Sequence, residues 1–376
     1  MKFFMPTKVY DESDCVAAHA AELAALGNKA LIVTGRHSAE KCGALQDVKD
    51  ALDQCGKAYC HFNEIEENPS TETVLRGAAF GGAEDVDFVI GIGGGSPMDA
   101  AKAIAFILKK RADARKADRK DDRELSDEEM LEIMYDKAAD PEALPVAAVP
   151  TTCGTGSEVT GVAVLTIHEK QTKISMPHRI FPKLALVDGK YLQAASLSML
   201  CNTAVDAFAH MAESYLSAKA DAYSRALALE GLRIWSESKG VLLAEREPSE
   251  ADFENMIRAS CFGGMAIAQT GTALPHGLSY IVTYDLAMPH GMACGYFLPG
   301  FFRAAGEVLC EPIFEAAGFI DAADFEAFLK SVYPSVTVPE ETLTRTYEAL
   351  AANEARLNAC CFPVDPEILK TIVGIG

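Results

Sequence analysis

The chain has 376 residues, of which 49% are hydrophobic, and this is enough to form two domains with separate cores. Its formal net charge of -20 at pH 7 argues against binding to nucleic acid or to an anionic membrane surface, because both require a basic face. The N-terminus turns acidic before a signal peptide is complete, and the apolar stretches are too short to span a membrane. The cysteines are scattered and include no C-x-x-C pair. We therefore expect a cytoplasmic protein with reduced thiols.

Strand and helix signals alternate through the first half of the chain. Short apolar runs rich in β-branched residues alternate with segments of helical composition, and repeated units of this kind predict a parallel sheet covered by helices. The predicted strands cover residues 29–35, 57–65, 86–92, 144–150, 161–167 and 183–189.

A glycine-rich loop follows the predicted strand 86–92. The run Gly93, Gly94, Gly95, Ser96 leads into an amphipathic helix, and Pro97 suits the first helical position. Glycines let the backbone approach a ligand closely and a helix N-terminus attracts phosphate, so the pattern predicts a phosphate-binding loop. It departs from the G-x-G-x-x-G fingerprint, since Ser96 stands at the place of the last glycine, and by itself it is weak evidence.

The pattern changes to helices near residues 189–195. Segments 204–220, 222–243, 251–269 and 324–333 carry apolar residues at three- and four-residue spacing, which is typical of helices packed on a core. We therefore predict an α/β domain at residues 1–190 and an all-helical domain at residues 191–376. The segment 109–134 is a run of mixed charge, and we expect an exposed helix or a mobile excursion between strands there.

One aspartate and three histidines of the second half form a candidate metal site. Asp206 and His210 stand four residues apart in a segment of helix-forming composition, which places both on one helical face. His276 and His290 each lie in a Pro-His-Gly triplet. A carboxylate and three neutral imidazoles can hold a divalent ion and leave a position open for a substrate oxygen. Spacing alone leaves a second interpretation open, in which the two later histidines are ordinary turn residues.

Four sequence motifs occur in one order along nearly the whole chain. They are GGGSPMDAAK at 93–102, VPTTCGTGSEVT at 149–160, FPKLALVD at 181–188, and the set D-x-x-x-H, PHG, PHG. Together they resemble the iron-containing, or group III, alcohol dehydrogenases. The resemblance implies a dinucleotide-binding α/β domain with a parallel sheet followed by an all-helical metal-binding domain, a fold shared with dehydroquinate synthases. It also implies a homodimer or a larger homo-oligomer.

The same resemblance implies a role for individual residues. Asp206, His210, His276 and His290 correspond to the family's metal ligands. Several of the implied cofactor contacts have a plain structural alternative: a first-turn carboxylate for Asp99, an Asn-Pro turn for Asn68, and backbone capping for the threonines. The residues implied to contact NAD(P) are Asn68, Gly93, Gly94, Gly95, Ser96, Asp99, Thr151, Thr152, Thr155 and Lys173.

The implied reaction is hydride transfer between a nicotinamide and a small primary alcohol or aldehyde whose oxygen binds the ion. The ion, Fe²⁺ or Zn²⁺, would lower the pKa of the alcohol or polarise the aldehyde carbonyl. Many family members carry a further histidine four residues after the first PHG-type ligand, and here that position is Tyr280. A tyrosine hydroxyl is a poorer base at neutral pH, so we expect the enzyme to favour aldehyde reduction or to oxidise alcohols best at alkaline pH.

The end of the predicted strand 29–35 bears on the choice between NAD and NADP. NAD-dependent relatives commonly have an aspartate at this point, which binds the adenosine ribose and repels a 2′-phosphate. Here Gly35 is followed by Arg36 and Ser38, which could pair with a phosphate. We expect NADP(H) to be used at least as well as NAD(H), unless Gly35 only makes a turn and Arg36 is solvated.

Other functions remain to be weighed. Glycerol dehydrogenase-like polyol oxidation and a sugar-phosphate cyclase reaction of the dehydroquinate synthase type are compatible with the fold. A cyclase should carry extra basic residues for its phosphorylated substrate, and the sequence around the two PHG motifs has none. A nucleotide-binding module without catalysis should have a broken ligand set, whereas all four residues are present.

Overall fold

The structure is a computed structural model that describes residues 3–117, 125–170, 172–334 and 336–375. The chain forms two compact units. The sheet unit comprises residues 6–151 and 157–194, and the helical unit comprises residues 1–5, 152–156 and 195–376. The predicted fold class, a parallel α/β part followed by a helical part, is confirmed.

The sheet unit is built on parallel strands. Its strands, as far as the structure describes them, are β1 (Lys8–Asp11), β2 (Lys29–Gly35), β3 (Ala58–Ile65), β4 (Phe88–Gly93), β5 (Val146–Pro150), β6 (Val164–Ile167), β7 (Thr172–Ser175) and β8 (Leu184–Val187). Six of these form one parallel sheet in the order β1-β8-β5-β4-β2-β3. The edge strand β1 was missed in the sequence, because its four residues KVYD are only partly buried.

Helices of the sheet unit are α1 (Cys15–Ala18), α2 (Ala20–Ala24), α3 (Ser38–Lys41), α4 (Ala44–Gln54), α5 (Thr71–Ala83), α6 (Gly95–Ala117) and α7 (Asp127–Tyr135). Each face of the sheet has a core of its own. Along β2, Leu31 and Val33 belong to one core, while Ala30 and Ile32 belong to the other. Burial on both faces explains why the central strands are continuous apolar runs rather than alternating ones.

The glycine-rich turn at residues 93–95 follows β4, where the order in which strands are added to the sheet reverses. From β2 the chain adds β3 on one side and then β4 on the other, with Thr34 opposite Ile92. The carboxyl ends of β2 and β4, at Gly35 and Gly93, therefore lie side by side. Ligands of open α/β sheets bind at this edge and at this kind of strand reversal.

The glycine loop is shorter than the four residues predicted. β4 continues through Gly93 and α6 begins at Gly95, so Pro97 is the third helical residue rather than the first. Pro97 is still tolerated there, since the first four helical N–H groups have no intrahelical partner. Gly93 has a φ of 147°, and a Cβ on it would lie 2.7 Å from the Pro97 ring, so this position requires glycine.

Two further predictions need correction in detail. The predicted strand 161–167 is shorter, and it pairs as β6 with β7 in a separate antiparallel hairpin instead of joining the main sheet. The mixed-charge segment is partly helix α6 and partly helix α7, and α7 buries Met130 and Met134 in the core, which an exposed helix would not do. The spacing of these two methionines at i and i+4 is the apolar stripe that the surrounding charges concealed. Residues 118–124 of this segment lie outside the described residues.

The helical unit contains α8 (Leu197–Tyr215), α9 (Ala222–Ser236), α10 (Lys239–Leu242), α11 (Glu250–Thr270), α12 (Leu274–Leu286), α13 (His290–Ala305), α14 (Glu307–Ala317), α15 (Ala322–Val332), α16 (Glu340–Ala351), α17 (Glu354–Leu357) and α18 (Pro366–Val373). An aromatic cluster forms part of its core, with the Phe208 ring stacked 4.5 Å from that of Phe325. Trp235 packs on the same cluster and donates from Nε1 to the Ala204 carbonyl at 2.8 Å. In the ranges that the structure describes, no helix is both long and apolar enough to cross a bilayer.

Candidate metal centre and cofactor-binding residues

Three helices of the helical unit bring the predicted metal ligands to their places. Asp206 and His210 lie one turn apart on α8 and are both buried. His276 is in the first turn of α12 and His290 is the first residue of α13. The prolines of the two PHG triplets lie at the starts of these helices, where proline is tolerated. The histidines that follow them are therefore helical residues and not turn residues.

The structure gathers four potential ligand atoms into one cluster, which we call the donor cluster: Asp206, His276, His290 and Cys294. These atoms all lie within 4.8 Å of one another. Asp206 Oδ1 is 3.3 Å from His276 Nε2 and 3.7 Å from His290 Nε2. Ligands of a tetrahedral zinc ion would be about 3.3 to 3.6 Å apart, given zinc–ligand bonds of about 2.0 to 2.3 Å. The distance from Asp206 to His276 matches this spacing and the distance from Asp206 to His290 is slightly longer, so these atoms are close to ligand positions around one ion.

His210, the fourth predicted ligand, lies beside the donor cluster and is not a member of it. Its ring stacks on that of His276 with the centroids 4.3 Å apart. Its Nδ1 is 3.1 Å from the Gly154 carbonyl oxygen, to which it donates, so the lone pair of Nε2 is available to another partner. His210 thus has the tautomer of a metal ligand.

Glu213, which the sequence analysis did not single out, orients His276. The carboxylate is completely buried, and its Oε1 lies 2.5 Å from His276 Nδ1. It also accepts from the backbone N–H groups of His276 and Ala273 at the start of α12. Because Nδ1 donates to Glu213, the Nε2 lone pair of His276 faces Asp206. Carboxylate–histidine pairs of this kind hold metal-binding imidazoles in position.

Charge and burial determine the protonation of these groups. Burial would raise the pKa of Asp206, but the neighbouring histidines, with His210 the strongest, hold it below its ordinary value. Burial lowers the pKa of His210 to about 4, against the opposing effect of Asp206. Burial would likewise raise the pKa of Glu213, but His276 holds it below its ordinary value. At neutral pH Asp206 is an anion and His210 a neutral imidazole, which are the forms that bind a cation.

The donor cluster fits a divalent ion. Asp206 Oδ1 and His276 Nε2 are buried and have no hydrogen-bond partner among the described residues. Leaving buried polar atoms unpaired is costly, so their convergence fits a site that holds a cation. The side chain of His290 is 32% exposed, against about 4 to 5% for Asp206 and His276, so the site opens to its surroundings on the His290 side.

Tyr280 lies near this open side. It is on α12, one turn after His276, and its ring is stacked 6.4 Å from that of His290 with an angle of 15° between the planes. The predicted position of Tyr280 next to the metal ligands is consistent with this geometry. Its side chain is partly exposed.

Residues 152–156, within the VPTTCGTGSEVT motif, pack against α8 and α11. A Cβ on Gly154 would lie 3.1 Å from Asp206 Oδ2 and 2.9 Å from the Thr203 carbonyl, so only glycine fits. Gly156 has a φ of 58°, and a Cβ on it would lie 2.4 Å from the Cα of Gly264 in α11. Thr152 and Thr155 belong to this segment and are partly exposed, whereas Thr151 is buried and donates from its N–H to the Gly93 carbonyl at 2.9 Å.

In the sheet unit, several predicted cofactor residues meet at the glycine turn. Asn68 donates from its backbone N–H to Ser96 Oγ at 3.1 Å, and Lys173 Nζ donates to Asn68 Oδ1 at 2.6 Å. Asn68 adopts a φ of 58°, which asparagine tolerates better than most residues. Asn68, Ser96 and Lys173, far apart in sequence, therefore form one polar group at the start of α6.

Asp99 is held in an internal network and is not a first-turn carboxylate, because α6 begins at Gly95 and its first turn has no acidic residue. Its Oδ1 accepts from Ser157 Oγ at 2.6 Å and its Oδ2 from the Val164 N–H at 2.9 Å. Lys102, fully buried, donates to Ser157 Oγ at 2.6 Å and to the Val162 carbonyl at 2.8 Å. Sequence reasoning missed Lys102 and Ser157, and the network fixes the loop after β5 against α6.

Gly35, Arg36 and Ser38 lie where β2 ends. Gly35 is the last residue of β2, and both Arg36 and Ser38 are exposed. A Cβ on Gly35 would meet the Ile65 carbonyl at 3.4 Å and Ser38 Oγ at 3.8 Å, which are ordinary contacts. Position 35 therefore tolerates a Cβ without a steric clash.

Two of the residues that sequence reasoning missed had a signal. Glu213 follows Asp206 by seven residues and His210 by three, so all three share one face of α8. Cys294 follows His290 by four residues on α13. The H-x-x-x-C spacing of His290 and Cys294 is visible in the sequence. With eleven scattered cysteines, however, nothing in the sequence distinguishes Cys294 from an ordinary buried core residue.

Two family models match the chain, one in each half. The model described as iron-containing alcohol dehydrogenase matches residues 6–189. The model described as the C-terminal part of the Fe-containing alcohol dehydrogenase family matches residues 200–333. Together they span the strands of the main sheet and all members of the donor cluster.

Individual proteins agree with the family models. Lactaldehyde reductase from Escherichia coli (strain K12) is 30% identical over 278 residues, which is 73% of this chain and 68% of that protein. NADPH-dependent butanol dehydrogenase from Clostridium saccharobutylicum is 28% identical, over 73% of this chain and 66% of that protein. The crystal structure of an iron-containing alcohol dehydrogenase from Thermotoga maritima superposes with a TM-score of 0.86 at 33% identity, over 100% of this chain and 99% of that one.

Proposed function

Because the chain belongs to the iron-containing alcohol dehydrogenase family, it is a metal-dependent, NAD(P)-linked oxidoreductase, and we propose that it interconverts small primary alcohols and aldehydes at a divalent metal site formed by Asp206, His210, His276 and His290. The observation that supports this site is the convergence of donor atoms from three helices, of which Asp206 Oδ1 and His276 Nε2 are buried and unpaired. When bound, the ion supplies Lewis acidity that stabilises negative charge on the reacting oxygen.

Protein groups would perform the remaining tasks of the reaction. Glu213 keeps the His276 ring fixed, and the Gly154 carbonyl does the same for His210. Imidazole rings that are already held in position need no reorganisation when charge develops on the substrate. Tyr280, beside His290, is placed to relay a proton to or from solvent on the open side.

The cofactor would bind at the carboxyl ends of β2 and β4. The turn at Gly93, Gly94 and Gly95 would receive the pyrophosphate, with Ser96 and the start of α6 beside it. Asn68 and Lys173 extend this polar group, and Asp99 orders the neighbouring loop. Residues proposed to line the cofactor from the loop after β5 are Thr151, Thr152 and Thr155.

Finer properties are part of the same proposal. We assign the ion as Fe²⁺ or Zn²⁺, with NADP(H) used at least as well as NAD(H) because Gly35, Arg36 and Ser38 admit a 2′-phosphate. We also propose domains at 1–190 and 191–376, a homodimer or larger homo-oligomer, and a cytoplasmic location. The relatives reported above are named for an aldehyde and for a simple primary alcohol, which favours this reaction over that of a sugar-phosphate cyclase or a glycerol dehydrogenase.

The test is turnover of butanal by metal-reconstituted protein with NADPH and with NADH, together with the metal content. Replacing His290 by alanine removes an imidazole from the cluster, so we expect it to remove most bound metal and to lower turnover by more than about a hundredfold. His37→Ala is the control, because His37 is exposed at the end of β2 and lies outside the helical unit.

Each failure has a distinct meaning. A His290→Ala protein with stoichiometric metal and full turnover would contradict the ligand assignment. If the metal-loaded enzyme reduced no short aldehyde but released phosphate from a sugar phosphate, the proposed reaction would be wrong and a cyclase reaction would take its place.

A further inference from the structure

Cys294 occupies an unusual place for a buried cysteine. It lies one turn after His290 on α13 and is completely buried. Its Sγ is 3.8 Å from His290 Nε2 and within 4.8 Å of the donor atoms of Asp206 and His276. The sulfur thus faces the same point as the unpaired atoms of the metal site.

Two other buried cysteines of the helical unit donate to backbone carbonyls. Cys201 donates to the Leu242 carbonyl at 3.4 Å, and Cys310 donates to the Phe302 carbonyl at 3.6 Å. Hydrogen bonds of this kind satisfy a buried thiol within its own core. The contact of Cys294 is instead with a histidine that we assign to the metal, so core packing does not account for its orientation.

We propose that Cys294 is a sulfur ligand of the divalent ion, in addition to the aspartate and histidine ligands. This inference rests on the proposed function, because it assumes that an ion occupies the donor cluster. A sulfur ligand and an imidazole in neighbouring positions around one ion lie about 3.1 to 3.6 Å apart for bond angles of about 90° to 110°, given zinc bonds of about 2.3 Å to sulfur and about 2.0 to 2.1 Å to nitrogen. The 3.8 Å between Sγ and His290 Nε2 is close to the upper end of this range.

The sulfur ligand has consequences for metal choice. Thiolates are soft ligands that favour zinc and its analogue cobalt, whereas carboxylate and imidazole alone accept iron readily. The thiol proton leaves to solvent when the sulfur binds, since the thiolate is the form that coordinates a metal. Cys294 therefore makes this site more selective for Zn²⁺ over Fe²⁺ than a site of aspartate and histidines alone.

The experiment uses Co²⁺ as a spectroscopic substitute for the native ion in the full chain. With one Co²⁺ bound per chain, we expect a sulfur-to-cobalt charge-transfer band in the near ultraviolet. Cys294→Ser should bind Co²⁺ and keep the visible ligand-field bands but lose the charge-transfer band. Cys201→Ser is the matched control, because Cys201 is a buried cysteine on the ligand helix α8 and should leave the band unchanged.

A competition between Zn²⁺ and Fe²⁺ gives a second readout, in which the preference for Zn²⁺ should fall about tenfold in Cys294→Ser. Wild-type protein that binds one Co²⁺ without the band, or Cys294→Ser protein that retains it, would overturn the sulfur ligand and leave the proposed function standing. Wild-type protein that binds no stoichiometric Co²⁺ would overturn the metal site and, with it, both proposals.

Discussion

At the scale of single residues, Glu213 is the group whose role depends most on its surroundings. It has no exposed surface, and three of its contacts are with the start of α12 and the ring of His276. A buried carboxylate without partners would be strongly unfavourable, so these contacts are what allow the charge to remain. The same contacts fix the tautomer of His276.

Replacing Glu213 by glutamine keeps the shape of the side chain and removes its charge. We expect the affinity for Zn²⁺ to fall about 10- to 100-fold, because the imidazole loses the acceptor that orients it and raises its basicity. Isothermal titration of metal-free protein measures this. Glu230→Gln, on the exposed side of α9, should leave the affinity unchanged, and equal effects of the two variants would remove the special role of Glu213.

Tyr280 gives a second prediction at this scale. If its hydroxyl relays the proton, Tyr280→Phe should lower turnover of alcohol oxidation and alter the pH–rate profile, while the bound metal stays constant. Tyr284→Phe is the control, since Tyr284 is exposed on the same helix. A profile for Tyr280→Phe that superposes on the wild-type profile would show that the hydroxyl takes no part.

At the scale of elements, the end of β2 is where cofactor preference can be changed. A Cβ at position 35 makes only ordinary contacts, and the charge of an aspartate there would bind the ribose hydroxyls and repel a 2′-phosphate. We expect Gly35→Asp to shift the ratio of kcat/KM for NADH to that for NADPH by about tenfold or more toward NADH. Gly35→Asn is the control, because asparagine has nearly the size of aspartate but no charge to repel the 2′-phosphate. A wild-type enzyme that already prefers NADH tenfold would contradict this interpretation of the strand end.

An ion pair between the partly exposed Arg246 and the buried Asp252 lies at the N-terminus of α11. Arg246 donates to both oxygens of Asp252 at 2.6 Å, and Ser249 donates to the same carboxylate from its N–H at 2.8 Å. We expect Asp252→Asn to lower the free energy of unfolding by about 2 kcal/mol, because the charged hydrogen bonds are lost while the partly exposed Arg246 returns to water. Urea denaturation measures the change. Asp321→Asn should cost only a few tenths of a kcal/mol, roughly, since asparagine is an equally good N-cap.

The same carboxylate predicts a dependence on pH. The hydrogen bond from Arg246 lowers the pKa of Asp252 in the folded state, against the opposing effect of burial, from its ordinary value of 3.8. A group with a lowered folded pKa stabilises the protein above its unfolded pKa and loses this contribution as the pH falls. The difference in stability between wild type and Asp252→Asn should therefore be full at neutral pH and shrink as the pH drops through 3.8. A difference that grows toward acid pH would refute the ion pair as its origin.

At the scale of the whole molecule, every proposed metal ligand belongs to the helical unit. An ion that binds only the folded state stabilises it by about 2.7 kcal/mol when its free concentration is 100 times Kd. We expect added Zn²⁺ to slow hydrogen exchange in α8, α12 and α13, with β2 and β4 little affected, and a chelator to reverse this. Equal slowing in both units would show that they open as one.

Much of this architecture was readable from pattern. Buried strands such as β2 and β4 are continuous apolar runs, and their helices follow with clear periodicity, so five of the six strands of the main sheet were predicted near their observed positions. The exposed edge strand β1 and the apolar stripe of α7 were missed for one reason. In both, the surrounding sequence is polar, and burial of a few residues is decided by neighbours distant in the chain.

The sequence by itself determined the fold class, the family and four candidate ligands, because these depend on periodicity and on residue types at fixed spacing. Only the tertiary structure decided which groups meet. It joined Asn68 to Lys173, held Asp99 in a network with Ser157, and brought Cys294 close to the donor atoms of Asp206, His276 and His290. Contacts between residues distant in the chain arise from helix packing and loop closure, and spacing along the sequence contains no measure of either.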